Sequence, residues 1–230
     1  MMKKTTLMMV AGALLGATAL TVSANDEVQT DGAAVGKWTM DYDAAVKVAG
    51  EKKLPMILNF TGSDWCGWCK LMDKNVFAED GWKKYAAESV VLVTLDFPKD
   101  KSIVPEKYVE RNKELQGEFG VRGFPTYVVL DSDGKTKLGQ LGAGKEKTPE
   151  SFIVEFEGVV KMSEANVAAY LKANPDKAEA FKAAIEEKKD AKKALADWVA
   201  TGPERNEENN KLFAGFQERI KAADAALAAF

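Results

Sequence analysis

Short apolar runs bounded by turn residues alternate with amphipathic segments along the first two thirds of the chain. Three of these runs, residues 56–60, 90–95 and 126–130, have the length and composition that predict buried strands. A fourth run, residues 136–141, follows the turn sequence Asp131-Ser132-Asp133-Gly134. The last two runs are therefore expected to form an antiparallel hairpin.

Helical spacing appears between these runs. Residues 41–50 place small apolar side chains on one face, and Gly50 is expected to end that helix. A charged helix is predicted over residues 105–119, and Thr148-Pro149-Glu150 is typical of a helix N-terminus. A further helix is expected to follow residue 66. This order of elements predicts an α/β fold, with a central mixed sheet flanked by helices on both faces.

The composition changes after residue 160. Residues 161–230 are rich in alanine and in charges of both signs, and they contain no strand-like run. Asn174-Pro175 and Gly202-Pro203 divide this part into helices. Two apolar stripes at helical spacing are formed by Phe181, Ile185, Leu195 and Val199, and by Leu212, Phe216, Ile220, Ala223 and Leu227. We expect an all-helical extension, with a helical hairpin whose stripes pack together or onto the sheet domain.

The first residues of the chain have the pattern of a secretory signal peptide. Lys3 and Lys4 precede an apolar run over residues 7–20, and Val22-Ser23-Ala24 matches a cleavage site. The run is short for a membrane-spanning helix, although a retained N-terminal anchor is the alternative. We therefore predict a signal peptide over residues 1–24, a flexible leader over 25–37 and an exported protein, periplasmic or secreted.

Charge and composition exclude several functions. Cleavage after residue 24 removes Lys3 and Lys4 and changes the formal net charge from −3 to −5. A mildly acidic surface of mixed charge argues against nucleic acid as a partner, and no stable membrane span is expected after cleavage. The chain has no histidine, which excludes Ser-His-Asp and Cys-His catalysis and the commonest metal ligand.

The two cysteines of the chain, Cys66 and Cys69, form a CxxC pair. At the first turn of a helix, free N–H groups and the helix dipole favour the thiolate. Cys66 would be the nucleophile that forms a mixed disulfide with a substrate, and Cys69 would resolve it. Lys70 adds a positive charge or points to water. An inert local disulfide and half of a metal site are the alternatives, but no third cysteine is present.

Two separated motifs resemble the thioredoxin family. Trp65-Cys66-Gly67-Trp68-Cys69-Lys70 resembles its active-site hexapeptide, and residues 120–126 resemble the segment that holds its cis-proline. The resemblance, which also extends to exported bacterial thioredoxin-like proteins, implies a thioredoxin-like domain over residues 38–160. It implies that Pro125 is cis and faces the disulfide, and that Phe124 offers its backbone to a substrate peptide.

The same resemblance assigns further roles near the cysteines. It places Trp65 beside the site, and it makes Gly67 and Trp68 part of the substrate-binding surface. No metal and no cofactor other than the Cys66–Cys69 disulfide is expected. An ordinary turn before a strand is the alternative for the segment that ends at Pro125.

The chain departs from the family pattern at two positions. Asn59 lies where thioredoxins carry a buried aspartate that moves protons, so water or another carboxylate such as Asp64 would have to act. Trp68 stands between the cysteines where proline is usual, and it leaves the redox potential open.

The leading hypothesis is an extracytoplasmic thiol–disulfide oxidoreductase, with the reductase, isomerase and oxidase directions open. Its partners would be cysteine-containing protein substrates and an electron donor or acceptor. The alternative is a binding or oligomerisation module, in which residues 161–230 form a homo-oligomer and redox chemistry is secondary.

Overall fold

The computed structural model describes residues 28–228, so the predicted signal peptide lies outside the described residues. Five strands form one sheet in the order β1-β3-β2-β4-β5. The strands are β1 Trp38–Thr39, β2 Met56–Thr61, β3 Val91–Asp96, β4 Thr126–Leu130 and β5 Lys137–Gly142. β3 is parallel to β1 and β2, whereas β4 is antiparallel to β2 and β5. The predicted mixed sheet and its terminal hairpin are confirmed.

Helices cover both faces of this sheet. The helices are α1 Tyr42–Lys52, α2 Gly67–Met72, α3 Asp80–Ser89, α4 Glu106–Glu118, α5 Pro149–Lys161, α6 Glu164–Ala173, α7 Ala178–Ala200 and α8 Glu207–Ala228. Alternate side chains of each central strand point to opposite faces. In β2, Leu58 belongs to the core beneath α1 and α4, whereas Ile57 belongs to the core beneath α2, α3 and α5.

Helix α1 differs from its predicted end. Asp41 caps the helix by accepting a hydrogen bond from the N–H of Ala44 at 3.0 Å. Gly50 was expected to end the helix, but the helix continues to Lys52, and Lys53 takes the left-handed conformation at φ 56°. The expectation for Gly50 is wrong because a single glycine is tolerated inside a helix at a modest energetic cost.

Helix α3 and the turn before it are absent from the sequence prediction. Residues Asp73–Phe77 continue α2 as a π-helical turn, in which the N–H of Ala78 donates to the carbonyl of Asp73 at 2.7 Å. Helix α3 then buries Trp82 against Phe77 and Phe152. Within this helix, Trp82, Tyr85 and Ala86 form a short apolar stripe at helical spacing, and the packing of Trp82 stabilises the helix.

The described part of the predicted flexible leader packs onto the domain. The N–H of Gly36 donates to the carbonyl of Val90 at 2.9 Å, and Tyr108 donates its hydroxyl to the carbonyl of Thr30 at 2.8 Å. Lys107 forms an ion pair with Asp31 on the same side of α4. Residues 28–37 are therefore held against the sheet edge and α4.

The C-terminal helical extension is confirmed. Helices α7 and α8 run antiparallel, because Lys188 of α7 pairs with Asp224 towards the end of α8, whereas Trp198, further along α7, packs on Phe213 towards the start of α8. Phe181 and Leu227 form a small separate core with residues of α6. Within residues 28–228, no helix is long and apolar enough to cross a membrane.

Candidate active site

Cys66 and Cys69 lie at the N-terminus of α2, next to the carboxyl ends of β2 and β3. Cys66 is the N-cap residue, with extended backbone angles, and the N–H of Cys69 donates to its Sγ at 3.1 Å. The two sulfurs form a disulfide, with 5.3 Å between the Cα atoms. After reduction, the same N–H and the helix dipole would stabilise a thiolate at Cys66.

The loop before Cys66 is shaped by a tight turn at Gly62. The carbonyl of Gly62 accepts hydrogen bonds from the N–H of Trp65 at 3.2 Å and of Cys66 at 2.8 Å. A β-carbon at Gly62 would lie 2.4 Å from the Trp65 ring, which is closer than non-bonded carbons approach. The Trp65 ring therefore lies directly against the backbone of Gly62.

Trp65 connects three loops of the site. Its Nε1 donates to the carbonyl of Phe97 at 2.8 Å, and its ring packs edge to face on Phe124 at 5.7 Å between centroids. Phe97 and Phe124 are themselves 5.3 Å apart. The CxxC loop, the loop after β3 and the loop before β4 are thus joined by aromatic contacts.

The loop before β4 contains the predicted proline. The peptide bond between Phe124 and Pro125 is cis, and Pro125 is buried. Thr126 closes this loop by donating its hydroxyl to the carbonyl of Gly123 at 2.8 Å. The structure thus brings Phe124 next to Trp65, while the substrate-binding role of Phe124 and Pro125 stays a prediction.

The residues between the cysteines are open, whereas the sulfurs are largely covered. Trp68 is 52% exposed, and a β-carbon at Gly67 would meet nothing within 4 Å. Cys66 is 5% exposed and Cys69 only 1%. Both cysteines are thus buried, and Cys66 is the slightly more exposed of the two.

Asp64 is engaged by the backbone of the neighbouring loop. Its carboxylate accepts hydrogen bonds from the N–H groups of Lys99 and Asp100, both at 2.9 Å. These backbone hydrogen bonds, that from Asp100 above all, lower the pKa of Asp64, and a carboxylate with a lowered pKa is a weaker base. Asp64 is thus a poor substitute for the aspartate that Asn59 replaces. The Lys70 ammonium donates a hydrogen bond to the backbone carbonyl of Asp64 at 2.8 Å.

A pocket of about 620 Å³ beside α2, which the sequence did not predict, is lined by both polar and apolar side chains. Its polar lining includes Asn59, Thr61, Ser63, Asp73, Thr94 and Asp96. Asp96 is 5% exposed, and its carboxylate accepts from the N–H of Ser63 at 2.9 Å and from the Ser63 hydroxyl. Partial desolvation of the Asp73 carboxyl, on a residue that is otherwise exposed, together with the charge of Asp96, raises the pKa of Asp73 to about 6. The four-residue spacing from Cys69 to Asp73 was the only sequence signal for this carboxyl.

The pocket shows no metal-binding arrangement. Within residues 28–228, the structure has no group of three or more cysteine and acidic side chains placed to hold a metal ion.

Fold and site together define a thioredoxin-fold domain with a CxxC disulfide at a helix N-terminus and a cis-proline loop beside it. Residues 42–159 match the thioredoxin-like domain family, and the chain belongs to that family.

The chain is similar to two curated proteins and, among solved structures, to a DsbH oxidoreductase. The disulfide bond reductase DsbH of Chlamydia pneumoniae is 36% identical over 101 residues, which cover 44% of this chain and 60% of DsbH. The thioredoxin-related protein DsbJ of the same organism is 27% identical over 107 residues, covering 46% of this chain and 30% of DsbJ. The chain therefore spans less than two thirds of either curated relative. The solved structure of a DsbH oxidoreductase has a TM-score of 0.51 and 26% identity, covering 66% of this chain and 96% of that one.

Proposed function

We propose that the chain is a thiol–disulfide oxidoreductase that reduces disulfides in protein substrates. The observation that carries this proposal is the Cys66–Cys69 disulfide at the N-terminus of α2, with the Cys69 N–H directed at the Cys66 sulfur. A disulfide that closes a four-residue loop constrains the unfolded chain little, so redox exchange accounts for the pair better than stabilisation does.

The reaction proceeds by two thiolate exchanges. In the reduced protein, the Cys66 thiolate attacks one sulfur of a substrate disulfide, forms a mixed disulfide and releases the other substrate sulfur as a thiolate. The Cys69 sulfur then attacks Cys66, which releases the second substrate thiolate and forms the Cys66–Cys69 disulfide. The substrate disulfide gains two electrons, and the two cysteines lose them. A dithiol donor then returns the pair to the reduced state.

The substrate surface in this proposal surrounds the sulfur of Cys66. Trp68 and Trp65 are exposed by 52% and 41%, which is unusual for tryptophan and provides an apolar surface at the site. Gly67 leaves space between the cysteines. Phe124 and Pro125 border the same loops, and an extended substrate segment would lie along them.

Direction and location rest on separate observations. The reductase direction is favoured by the similarity to a protein named a disulfide bond reductase. Export is favoured by the signal-peptide pattern of residues 1–24, since disulfide substrates persist in oxidising compartments. In such a compartment a reductase needs a dithiol partner as its electron donor.

Insulin reduction by dithiothreitol, followed by turbidity, tests the proposal. We expect the wild-type chain to accelerate it, whereas Cys66→Ser should have no activity. Cys69→Ser should be inactive in turnover but should accumulate a mixed disulfide with the insulin chains, seen by non-reducing gel electrophoresis. Equal, uncatalysed rates for wild type and Cys66→Ser would reject the enzyme and leave a binding module of thioredoxin fold.

A further inference from the structure

The Cys69 sulfur has to gain or lose a proton in a site with little access to water. Cys69 is 1% exposed, and its sulfur leaves as a thiolate when the disulfide is reduced. A buried thiolate is costly, so a proton donor within reach lowers the barrier to its release. The chain has no histidine, and the Asp64 carboxylate is held by backbone N–H groups.

Asp73 follows Cys69 by four residues, one turn further along the helix, and its side chain carries a carboxyl group. The N–H of Asp73 donates to the carbonyl of Cys69, so the two residues are one helical turn apart. Side chains four residues apart lie on the same helix face, with about 5–6 Å between their β-carbons. Helical side chains also lean towards the N-terminus, which favours an approach of the Asp73 carboxyl to the turn that contains Cys69.

The sheet beneath Asp73 presents a row of polar groups. Asn59 pairs with Thr94 on one side and with Tyr127 on the other. Asn59 is 5% exposed and lines the same pocket as Asp73. Among the described residues, neither its Oδ1 nor the buried Tyr127 hydroxyl has a hydrogen-bond partner. Two buried, unpartnered polar atoms beside a carboxyl form an environment suited to a protonated acid or to a bridging water.

The charged and titratable groups around Asp73 come from several elements. Asp96 of β3 and Lys83 of α3 line the same pocket, and Lys74 follows Asp73 on its own helix. The pKa of Tyr127 is raised, first by burial and then by the negative charge of Asp73. The Asp73 carboxyl therefore lies near the Tyr127 ring. Partial desolvation and, after it, the negative charge of Asp96 oppose ionisation of Asp73, so the carboxyl can hold its proton close to neutral pH.

We propose that the Asp73 carboxyl exchanges a proton with the Cys69 sulfur, directly or through one water molecule, whenever the Cys66–Cys69 disulfide forms or breaks. When an external thiolate attacks Cys66, the bond between the two sulfurs breaks, and Cys69 leaves with the electron pair. The Asp73 carboxyl gives its proton to that sulfur and becomes a carboxylate. In the reverse step, the carboxylate takes the proton from the Cys69 thiol as its sulfur attacks Cys66.

This role rests on the proposed function, but its test needs no protein substrate. The rate at which dithiothreitol reduces the Cys66–Cys69 disulfide is followed by tryptophan fluorescence from pH 5 to 9. Each rate constant is divided by the concentration of dithiothreitol thiolate. The wild-type value should fall above about pH 6, where the Asp73 carboxyl loses its proton.

Three variants complete the experiment. Asp73→Asn should lower the corrected rate constant at pH 5–6 by about tenfold or more and remove its pH dependence, because an amide cannot donate this proton. Asp73→Glu should retain the pH dependence of the corrected rate constant. Asp43→Asn is the matched control. Asp43 is exposed on α1, which covers the opposite face of the sheet, and its loss removes the same charge, so this variant should behave as wild type.

The outcomes separate the two proposals. A wild-type profile in Asp73→Asn would overturn the proton role. Should that variant fail to fold, Asp96→Asn applies the same test: loss of the facing charge must move the slope to lower pH, and an unmoved slope overturns the role. Failure of wild-type insulin reduction with a normal dithiothreitol profile would reject the proposed function alone.

Discussion

A β-carbon at Gly62 would lie 2.4 Å from the indole ring of Trp65, so the loop before Cys66 has room only for glycine at that position. The turn at Gly62 positions the tryptophan whose Nε1 reaches Phe97 and whose ring packs on Phe124. Trp65 thereby joins the three loops that surround the disulfide.

Gly62→Ala should displace Trp65 and lower insulin reduction by about tenfold, since a small misplacement of a positioning group costs up to about 100-fold in rate. Loss of the Trp65 contacts should also change the tryptophan emission spectrum. Gly158→Ala is the control, because a β-carbon there meets nothing within 4 Å and alanine favours its helix. Equal activity of the two variants would contradict the positioning role of Gly62.

The strands, most of the helices and the two cysteines of the site were predictable from local pattern. Apolar runs identified the strands around Leu58 and Val128, and the CxxC spacing identified the disulfide. The pocket beside α2 was not predictable, because it depends on register. Asn59 lies opposite Thr94 only through the pairing of β2 with β3, which no local pattern specifies. The same holds for the close approach of Gly36 to the backbone of Ala87, which depends on how the N-terminal segment packs against α3.

Gly36 offers a test of the packing of the N-terminal segment. It has φ +70°, and a β-carbon would lie 2.5 Å from the backbone of Ala87. Gly36→Ala should therefore lower the free energy of unfolding by about 2 kcal/mol or more, measured by urea denaturation. Gly32→Ala is matched, since Gly32 has φ +75° but open space around it, and it should cost only about 1 kcal/mol. Equal losses would show that residues 28–37 do not pack against α3.

The raised pKa of Asp73 predicts a pH-dependent effect on stability. Its folded-state pKa of about 6 lies above the usual 3.8, so the folded chain binds this proton more tightly than the unfolded chain. Stability contributed by the protonated form is present below pH 4 and is lost as the pH rises through 6.

Asp73→Asn should therefore raise the free energy of unfolding at pH 7–8, by about 1 kcal/mol after allowance for the solvent exposure of the side chain. The difference from wild type should vanish below pH 4 when urea denaturation is compared at each pH. A gain that is the same at pH 4 and pH 8 would mean that the carboxyl has an ordinary pKa.

The α7–α8 hairpin can be tested at Ala191, which is fully buried in α7. Ala191→Leu should overpack the contact with α8 and lower hairpin stability by about 1–3 kcal/mol, seen as an earlier loss of helical circular dichroism on heating. Ala196→Leu, at an exposed position of the same helix, should have no such effect. Insulin reduction should be unchanged in both variants, because the redox site belongs to the preceding domain. An unchanged melting curve for Ala191→Leu would contradict packing of α7 on α8.

The equilibrium of the Cys66–Cys69 pair with glutathione tests the central claim most directly. A redox-active pair in a reductase should titrate between about −200 and −270 mV, the range of glutaredoxins and thioredoxin. The fraction of oxidised protein is measured by thiol alkylation and mass spectrometry at defined ratios of reduced to oxidised glutathione. A potential below about −300 mV would identify an inert structural disulfide, and one near −120 mV would identify an oxidant. Either of these results would contradict the function proposed for this chain.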